Sequence, residues 1–366
     1  MTLVLSTFGL GAVASHAETP AITVSTAGKE LTLNLGGLLQ AQMDAGDQGD
    51  ARFPDKNTRF YLRRARLNAT GKFQEDFEFK IELDLAGSLG KTSGLRAQMT
   101  DGYIFWNHYK GLGVRVGQFK SPFGFEQLYA DPRLFTLERT LVNDRLTLGR
   151  QIGAQVEGSL LDKHLAYSLG AFNGTGANNN FNDNNKLAWV GRLAATPWRG
   201  GDKQNPASWS VGGDAFTSDD VALSQPSEFG FDSTPTTADR DNLFTGKHKG
   251  WGLDSQLQLG RFDVWGEYLR ARFEPVSRRP RPTLESDGWY AQAGWFAIPK
   301  KLQLVAKYDT FDPNRDAVDD DTNTVTLGVN YLVRGDDIKL QADYLRADST
   351  RLPHQNKVLA RLQIIF

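Results

Sequence analysis

The chain repeatedly alternates apolar and polar residues over segments of about ten positions, which is the length of a tilted membrane strand. Residues 77–84 read FEFKIELD, with an apolar side chain at every second position. Residues 325–331 and 338–344 follow the same pattern. Because successive side chains of a strand point to opposite faces, each segment predicts a β-strand with one apolar and one polar face.

The connections between these segments alternate in length along the chain. Long connections cover 43–58, 86–98, 121–150 and 218–249, whereas tight turns fall near 71–72, 161–162, 260–261 and 299–300. About sixteen strands result, with long loops on one rim and short turns on the other, as in outer-membrane barrels. The sequence therefore predicts an all-β fold, a transmembrane antiparallel β-barrel in a bacterial outer membrane.

The first seventeen residues form an apolar run that ends in Ser15-His16-Ala17. This pattern predicts a signal peptide over 1–17, followed by a mature barrel over 18–366. The alternative is a short N-terminal segment that is buried in the fold. No later segment approaches the roughly twenty apolar residues of a membrane helix.

The connection 121–150 differs from the other loops in its composition. It has no sustained period of two and no helical stripe, but it is rich in Phe, Leu and Tyr and carries Arg133 and Arg139. Long connections in compact domains are usually functional or disordered, and this apolar composition argues against disorder. We expect this loop to pack against the inside of the barrel and narrow it.

Composition and motifs argue against several other classes of function. The formal net charge of −1 does not suit a nucleic-acid-binding protein, and the absence of Cys excludes thiolate chemistry. The five histidines show neither HExxH nor a metal-ligand spacing, and the chain has no GxSxG elbow or phosphate loop. We therefore expect no enzyme activity, no catalytic residue, no metal site and no cofactor.

Several stretches resemble the phosphate-selective porin O and P family of Gram-negative outer membranes. They are residues 60–86, 101–128, 137–141 and 149–158, and within them Gln118-Phe119-Lys120-x-Pro122-Phe123-Gly124 is the most specific run. The resemblance implies a homotrimer of sixteen-stranded barrels in outer-membrane lipid and lipopolysaccharide. It also implies passive diffusion of small anions such as phosphate, and a third loop, 121–150, that forms the constriction.

The resemblance further implies an ion pathway. The matching positions are the Arg-rich second strand, a carboxylate at the end of the third strand, the start of the constricting loop and a cation within it: Arg63, Arg64, Arg66, Asp84, Lys120, Ser121 and Arg133. The chain departs from the family in its loop 218–249, which is acidic instead of arginine-rich. Phosphate selectivity is therefore one of several open possibilities.

Two arginine clusters each have more than one interpretation. Adjacent residues of a regular strand face opposite sides, so Arg63 and Arg64 both reach the lumen only if one sits at a bulge or an interface. The cluster is then either an anion-facing patch or a network paired with Glu78, Glu82 and Asp84. The cluster 270–281 is a funnel at the mouth, a contact for lipopolysaccharide phosphates, or a solvated loop.

Three functions remain open from the sequence. The first is an anion-preferring diffusion channel, whose selectivity Lys120, Arg133, Arg64 and Arg66 determine. The second is a general or cation-preferring porin, which the acidic fifth loop favours. The third is a plugged barrel that acts as an adhesin or structural anchor.

Overall fold

The computed structural model describes residues 22–26, 29–53, 56, 58–86, 97–202, 205–231, 243–276 and 282–366. The predicted signal peptide, 1–17, lies outside these residues. So do Arg278, Arg279 and Arg281 of the second arginine cluster. Within the described residues no helix is both long enough and apolar enough to cross a bilayer.

Antiparallel strands form nearly all of the described structure. They are β1 (Ile22–Thr26), β2 (Lys29–Gly46), β3 (Arg59–Phe73), β4 (Phe77–Asp84), β5 (Gln98–Tyr109), β6 (Leu112–Lys120), β7 (Arg150–Leu160), β8 (Leu165–Phe172), β9 (Ala188–Gly201), β10 (Pro206–Leu223), β11 (Phe244–Leu259), β12 (Phe262–Pro275), β13 (Leu284–Ile298), β14 (Leu302–Asp312), β15 (Thr322–Arg334), β16 (Ile338–Ser349) and β17 (Gln355–Ile365). Each strand from β2 onward pairs with the next one along the chain, and β17 pairs with β2. In the described part of the chain this closes a barrel of sixteen strands, which confirms the predicted fold class.

The short strand β1 lies outside this cycle and pairs with the start of β2. The rims also follow the prediction, because two residues connect β5 to β6 and two connect β11 to β12, whereas long loops occupy the other rim. Several boundaries were wrong. The turn predicted near 71–72 lies inside β3, which ends at Phe73, and the first long loop was predicted from 43, but β2 continues to Gly46. The fifth long loop was predicted over 218–249, but β10 continues to Leu223 and β11 begins at Phe244, so the loop is shorter.

The alternating pattern separates the outer face from the lumen. Outward positions of the strands are exposed Leu, Val, Ile, Trp and Tyr, such as Leu253, Trp289 and Leu327. Their inward neighbours are mostly polar, for example Gln292, Thr326 and Gln341, and they are buried. An apolar outer band is what lipid requires of a barrel whose backbone groups are satisfied between strands.

The third long loop, residues 121–149, folds into the barrel, and we call it the constriction loop. It contains the helices α1 (Phe125–Leu128) and α2 (Leu141–Leu146) and a single 3-10 turn at Asp131–Arg133. Thr140 caps α2 because its side chain accepts a hydrogen bond from the Asn143 backbone N–H at 3.3 Å. At Gly124 the backbone φ is 82°, a conformation that favours glycine.

Hydrogen bonds from distant strands hold the constriction loop inside the lumen. The backbone N–H of Leu137 donates to Asp343 on β16 at 2.7 Å, and that of Leu141 donates to Asp309 on β14 at 3.2 Å. The Lys307 ammonium on β14 donates to Thr136 Oγ1 at 2.8 Å. The first two bonds satisfy backbone N–H groups that would otherwise be buried without partners.

An apolar core fills the lumen between the constriction loop and the wall from β8 to β14. Phe125, Tyr129 and Phe135 of the loop pack around Trp265 of β12, with ring centroids 4.2–5.3 Å apart. The fifth loop adds Phe229 and Phe231, which pack on Phe273, Phe244 and Phe311. The described end of the fifth loop, with Phe229 and Phe231, therefore packs inside the mouth of the barrel.

Candidate ion pathway at the constriction

A β-bulge brings adjacent arginines of β3 onto the same face. In the pairing with β2, Gln40 lies opposite Arg64 and Ala41 lies opposite Leu62, so that Arg63 is the extra residue. A bulge leaves one residue unpaired and bends the strand. The guanidinium groups of Arg63 and Arg64 therefore both reach the lumen. The sequence predicted this only if one of them lies at a bulge or an interface.

Glu138 of the constriction loop binds two of the lumen arginines. Arg63 donates two hydrogen bonds to its carboxylate, from Nε and Nη2, each at 2.8 Å. Arg361 of β17 donates to Glu138 Oε1 at 2.7 Å. Paired N–H groups that meet a carboxylate in this way form a strong, oriented ion pair.

Asp131 is the centre of a second ion-pair cluster. It lies 2.6 Å from Arg66, 2.6 Å from Arg139 and 3.4 Å from Arg64, and it is buried. Arg66 also donates to Asp84 at 2.9 Å. Since Asp84 additionally accepts from the backbone N–H of Ala65, this predicted pathway carboxylate orients Arg66 and ends the pairing of β3 with β4.

The same network continues onto the neighbouring strands. Lys80 of β4 and Arg150 of β7 donate to Asp101 of β5 at 2.7 and 2.8 Å, and Lys80 lies 3.1 Å from Glu82. We call the whole set the arginine wall. It comprises seven cations, Arg63, Arg64, Arg66, Lys80, Arg139, Arg150 and Arg361, against five carboxylates, Glu82, Asp84, Asp101, Asp131 and Glu138, an excess of two positive charges.

The two loop carboxylates stay ionised in this setting. Burial disfavours the charged form of Glu138, but Arg63 and Arg361 outweigh it and hold the pKa of Glu138 well below its ordinary value. Burial likewise opposes ionisation of Asp131, and Arg64, Arg139 and Arg66 hold its pKa well below the usual range. Both carboxylates therefore neutralise part of the wall at every pH near neutrality.

Two predicted pathway residues lie at the base of the constriction loop. The Lys120 ammonium donates to the backbone carbonyls of Gln127 at 2.6 Å and Tyr129 at 3.1 Å. The Ser121 hydroxyl donates to the Gly149 carbonyl at 3.1 Å, and Ser121 is fully buried. Ser121 therefore joins the two ends of the constriction loop, and Lys120 holds the first turns of the loop in place.

Arg133 is placed differently from the other predicted cations. It is half-buried on the 3-10 turn, and within the described residues its guanidinium makes no hydrogen bond or ion pair. The carbonyl of the preceding Pro132 accepts from Lys339 at 2.7 Å and from Gln363 at 3.1 Å, near the short-turn rim. The backbone of the turn is thus fixed by Lys339 and Gln363, while the Arg133 guanidinium is not held by a partner in the described part of the chain.

Acidic residues of the opposite wall lie beneath the constriction loop. Glu267 of β12 accepts from the backbone N–H of Glu126 at 3.2 Å, and Asp214 of β10 accepts from that of Gly124 at 3.1 Å. Arg192 lies 2.6 Å from Asp214 and 2.7 Å from Asp254. These carboxylates hold the loop and face protein groups.

Arg145 of α2 connects three long-rim loops. It lies 2.9 Å from Glu228 of the fifth loop, 2.5 Å from Asp144, and its Nη2 donates to the Ala51 carbonyl of the first loop at 2.7 Å. We expect Arg145→Gln to loosen the fifth loop and increase current noise in single-channel recordings, with the mean selectivity unchanged. Arg346→Gln on the outer face is the matched control, and equally quiet recordings from both variants would contradict this role.

The pathway includes residues that the sequence patterns did not assign. Asp131, Glu138 and Arg361 carry the ion pairs, but no local pattern distinguishes them from other charged residues. Glu138 and Arg139 do lie in LERTL, one of the stretches that carried the family resemblance. The second arginine cluster was partly misplaced, because Arg270 and Arg272 lie on β12 and face outward instead of lying in a loop.

Comparisons with known proteins agree with this architecture. The family model for phosphate-selective porin O and P matches residues 34–366. Porin O of Pseudomonas aeruginosa is 23% identical over 94% of this chain and 91% of its own length. Among solved structures, the trimer form of OmpT, an outer membrane protein of Vibrio cholerae, covers 92% of this chain and 99% of its own with a TM-score of 0.65 at 12% identity. The anion-selective porin of Comamonas acidovorans covers 92% of this chain and 100% of its own with a TM-score of 0.60 at 13% identity.

Proposed function

Because the chain belongs to the phosphate-selective porin O and P family and is an outer-membrane porin, we propose that it preferentially passes small hydrophilic anions, phosphate among them. The ions would diffuse passively along the arginine wall, past the constriction loop. The excess of two positive charges in that wall supports an anion preference. A positively lined channel raises the local concentration of anions.

The observation that carries this proposal is the unequal exposure within the ion pairs. The side chain of Arg63 is 24% exposed against 12% for Glu138, Lys80 is 24% against 13% for Asp101, and Arg115 is 22% against 7% for its partner Glu157. In these three pairs an ion in the lumen meets the cation more than its carboxylate, whereas Arg361 at 1% is less exposed than Glu138 at 12%. Arg66 is also more enclosed, at 10% against 14% for Asp84, so the anion preference depends on Arg63, Lys80 and Arg115.

The pairing also supports a moderate selectivity instead of tight binding. A guanidinium matches phosphate oxygens in a bidentate fork, but here most forks already hold a carboxylate. A passing anion must compete with that carboxylate, so each site is weak. Several weak sites in series allow an ion to enter and also to leave.

A homotrimer in outer-membrane lipid and lipopolysaccharide completes the proposal. The trimer form of the Vibrio cholerae protein supports the oligomeric state, since the two chains share a fold. On the long-rim half of the outer face, the Trp and Tyr side chains of the described strands lie on β9 to β16, as Trp189, Trp251, Tyr268, Trp289, Tyr308 and Tyr344. Interfacial lipid favours such a belt, so we assign β9–β16 to lipid and β2–β8 to the subunit contacts.

The test is the reversal potential of single reconstituted channels under a KCl gradient, followed by titration with phosphate. An anion-signed potential and a current that phosphate reduces would support the proposal. A cation-signed potential would favour the general or cation-preferring porin. A protein that inserts and stays closed would favour the plugged barrel.

We expect substitutions of two cations near the constriction loop to differ in their effects on reversal potential and on thermal unfolding temperature. Arg133→Gln should shift the reversal potential toward cations without changing the thermal unfolding temperature, because its guanidinium has no partner in the described part of the chain. Lys120→Met should lower the unfolding temperature, because it removes the donor to Gln127 and Tyr129. Equal shifts of reversal potential in both variants would show that Lys120 also acts on the ion.

A further inference from the structure

Four cations project outward from the long-rim ends of β11 and β12, and we call them the outer basic patch: Lys247, Lys249, Arg270 and Arg272. The alternation of the strands establishes their direction. Their neighbours His248, Leu269 and Phe273 are buried on the lumen side, whereas the side chains of Lys249 and Arg272 are 46% and 50% exposed. The patch therefore lies on the outside of the barrel and apart from the ion pathway.

The strand register places two of these cations directly opposite each other. Lys249 of β11 pairs in register with Arg272 of β12. Like charges in directly opposite positions destabilise a sheet. Glu274, which lies 3.1 Å from both Lys249 and Arg272, and Glu285, which lies 3.2 Å from Arg272, offset part of this repulsion.

The carboxylates do not neutralise the patch. Among the residues that the structure describes, four cations face Glu274 and Glu285, which leaves an excess of two positive charges. Asp219 and Asp287 lie in register opposite Lys247 and Arg270, but each also pairs with a further cation, Lys186 at 3.2 Å and Arg315 at 3.3 Å, so these two pairs leave the excess unchanged. An external anion would relieve the remaining repulsion.

The patch is at the height of a lipid head group. Trp251 lies two residues below Lys249 on β11, about 7 Å along the strand. Its ring packs on Tyr268 of β12 at 5.2 Å, and Trp289 of β13 packs on Tyr308 at 5.4 Å. Such aromatic belts mark the boundary between hydrocarbon and head groups, so cations just above it meet head-group phosphates.

We propose that the outer basic patch binds the phosphate of a phosphorylated glycolipid of the outer leaflet, the lipid A portion of lipopolysaccharide. Arg270 and Arg272 would hold phosphate oxygens in bidentate fashion, and Lys249 would supply a point charge. The Trp251 and Tyr268 rings would contact the upper acyl chains. The inference rests on the proposed membrane orientation but not on the proposed anion preference.

The experiment titrates the purified full-length protein in detergent with diphosphoryl lipid A and measures bound lipid by native mass spectrometry. Lys249→Gln combined with Arg272→Gln should weaken binding about tenfold or more, since each cation near a lipid surface contributes appreciably. The matched control is Arg346→Gln, which removes an outward cation of β16 that is 49% exposed and paired with Asp348. This control should bind lipid A like the wild type.

Each outcome decides the assignment. Unchanged binding in the double variant, or an equal loss in Arg346→Gln, would overturn it. Displacement by inorganic phosphate at a concentration equal to that of lipid phosphate would assign the patch to free phosphate instead. The reversal potential of the double variant should match the wild type, so a failure of the anion-preference proposal would be seen separately from a failure of the lipid site.

Discussion

Glu138→Gln is expected to raise the anion-to-cation permeability ratio several-fold. The substitution keeps the size of the side chain but removes the charge that neutralises Arg63 and Arg361. The excess positive charge of the arginine wall then rises from two to three. The Arg63 guanidinium, which is 24% exposed, loses its ionic partner and can bind a passing anion, whereas Arg361 is 1% exposed and still donates to Gln42. Phosphate should therefore block the current at lower concentration.

The reversal potential under a KCl gradient measures this change, and Asp348→Asn on the outer face is the control for the loss of one negative charge. The pH dependence of the wild-type permeability ratio provides a second test. Because the pKa of Glu138 is held well below its ordinary value, mild acidification should leave the wild-type carboxylate charged. Acid between the ordinary glutamate pKa and neutrality should therefore fail to reproduce the variant, and an unchanged permeability ratio in Glu138→Gln would refute its role as the neutralising group.

Asp131→Asn is expected to destabilise the constriction loop and enlarge the pore. Its carboxylate is the shared partner of Arg64, Arg66 and Arg139, and it is buried. Removing one partner from a buried ion-pair cluster leaves uncompensated charge and costs about 3–5 kcal/mol. The loop should then leave the wall more often, and single-channel conductance should rise as the thermal unfolding temperature falls.

The pH dependence of this contribution follows from the direction of the pKa shift. The folded-state pKa of Asp131 lies well below the unfolded value, so its stabilisation is present above the unfolded pKa and is lost only as pH falls through the folded pKa. Wild-type conductance should thus hold down to strongly acidic pH. Asp162→Asn, in an exposed short turn, is the control, and a conductance unchanged in Asp131→Asn would show that the hydrogen bonds from β14 and β16 suffice to hold the loop.

Local sequence pattern predicted those features of the fold that depend on residues close together in the chain or on neighbouring strands. Period-two alternation, loop lengths and the two adjacent arginines Arg63 and Arg64 are short-range properties. They determined the strand faces, the sixteen-stranded barrel, the inward third loop and the need for a bulge in β3. Strand boundaries were less certain where polar residues continue a strand beyond the membrane, as at the ends of β10 and β11.

Local sequence pattern could not predict the charge balance of the candidate ion pathway. Arg63 meets Glu138 and Arg66 meets Asp131 across 75 and 65 positions of the chain, and Arg361 meets Glu138 across 223. One of the two interpretations of the arginine cluster paired it with Glu78, Glu82 and Asp84, and of these Glu82 and Asp84 do contact Arg66. The loop carboxylates that neutralise the rest come into place only when the constriction loop folds inward.

The sequence by itself determined a membrane barrel with a cationic strand and a loop long and apolar enough to enter the lumen. The tertiary structure alone decided which candidate cations are bound by protein groups: Lys120 is bound to loop carbonyls, Arg63 shares Glu138, and Arg133 is without a partner among the described residues. The physical reason is that electrostatic availability depends on distances between groups far apart in the chain. Those distances exist only after the barrel closes and the loop packs against its wall.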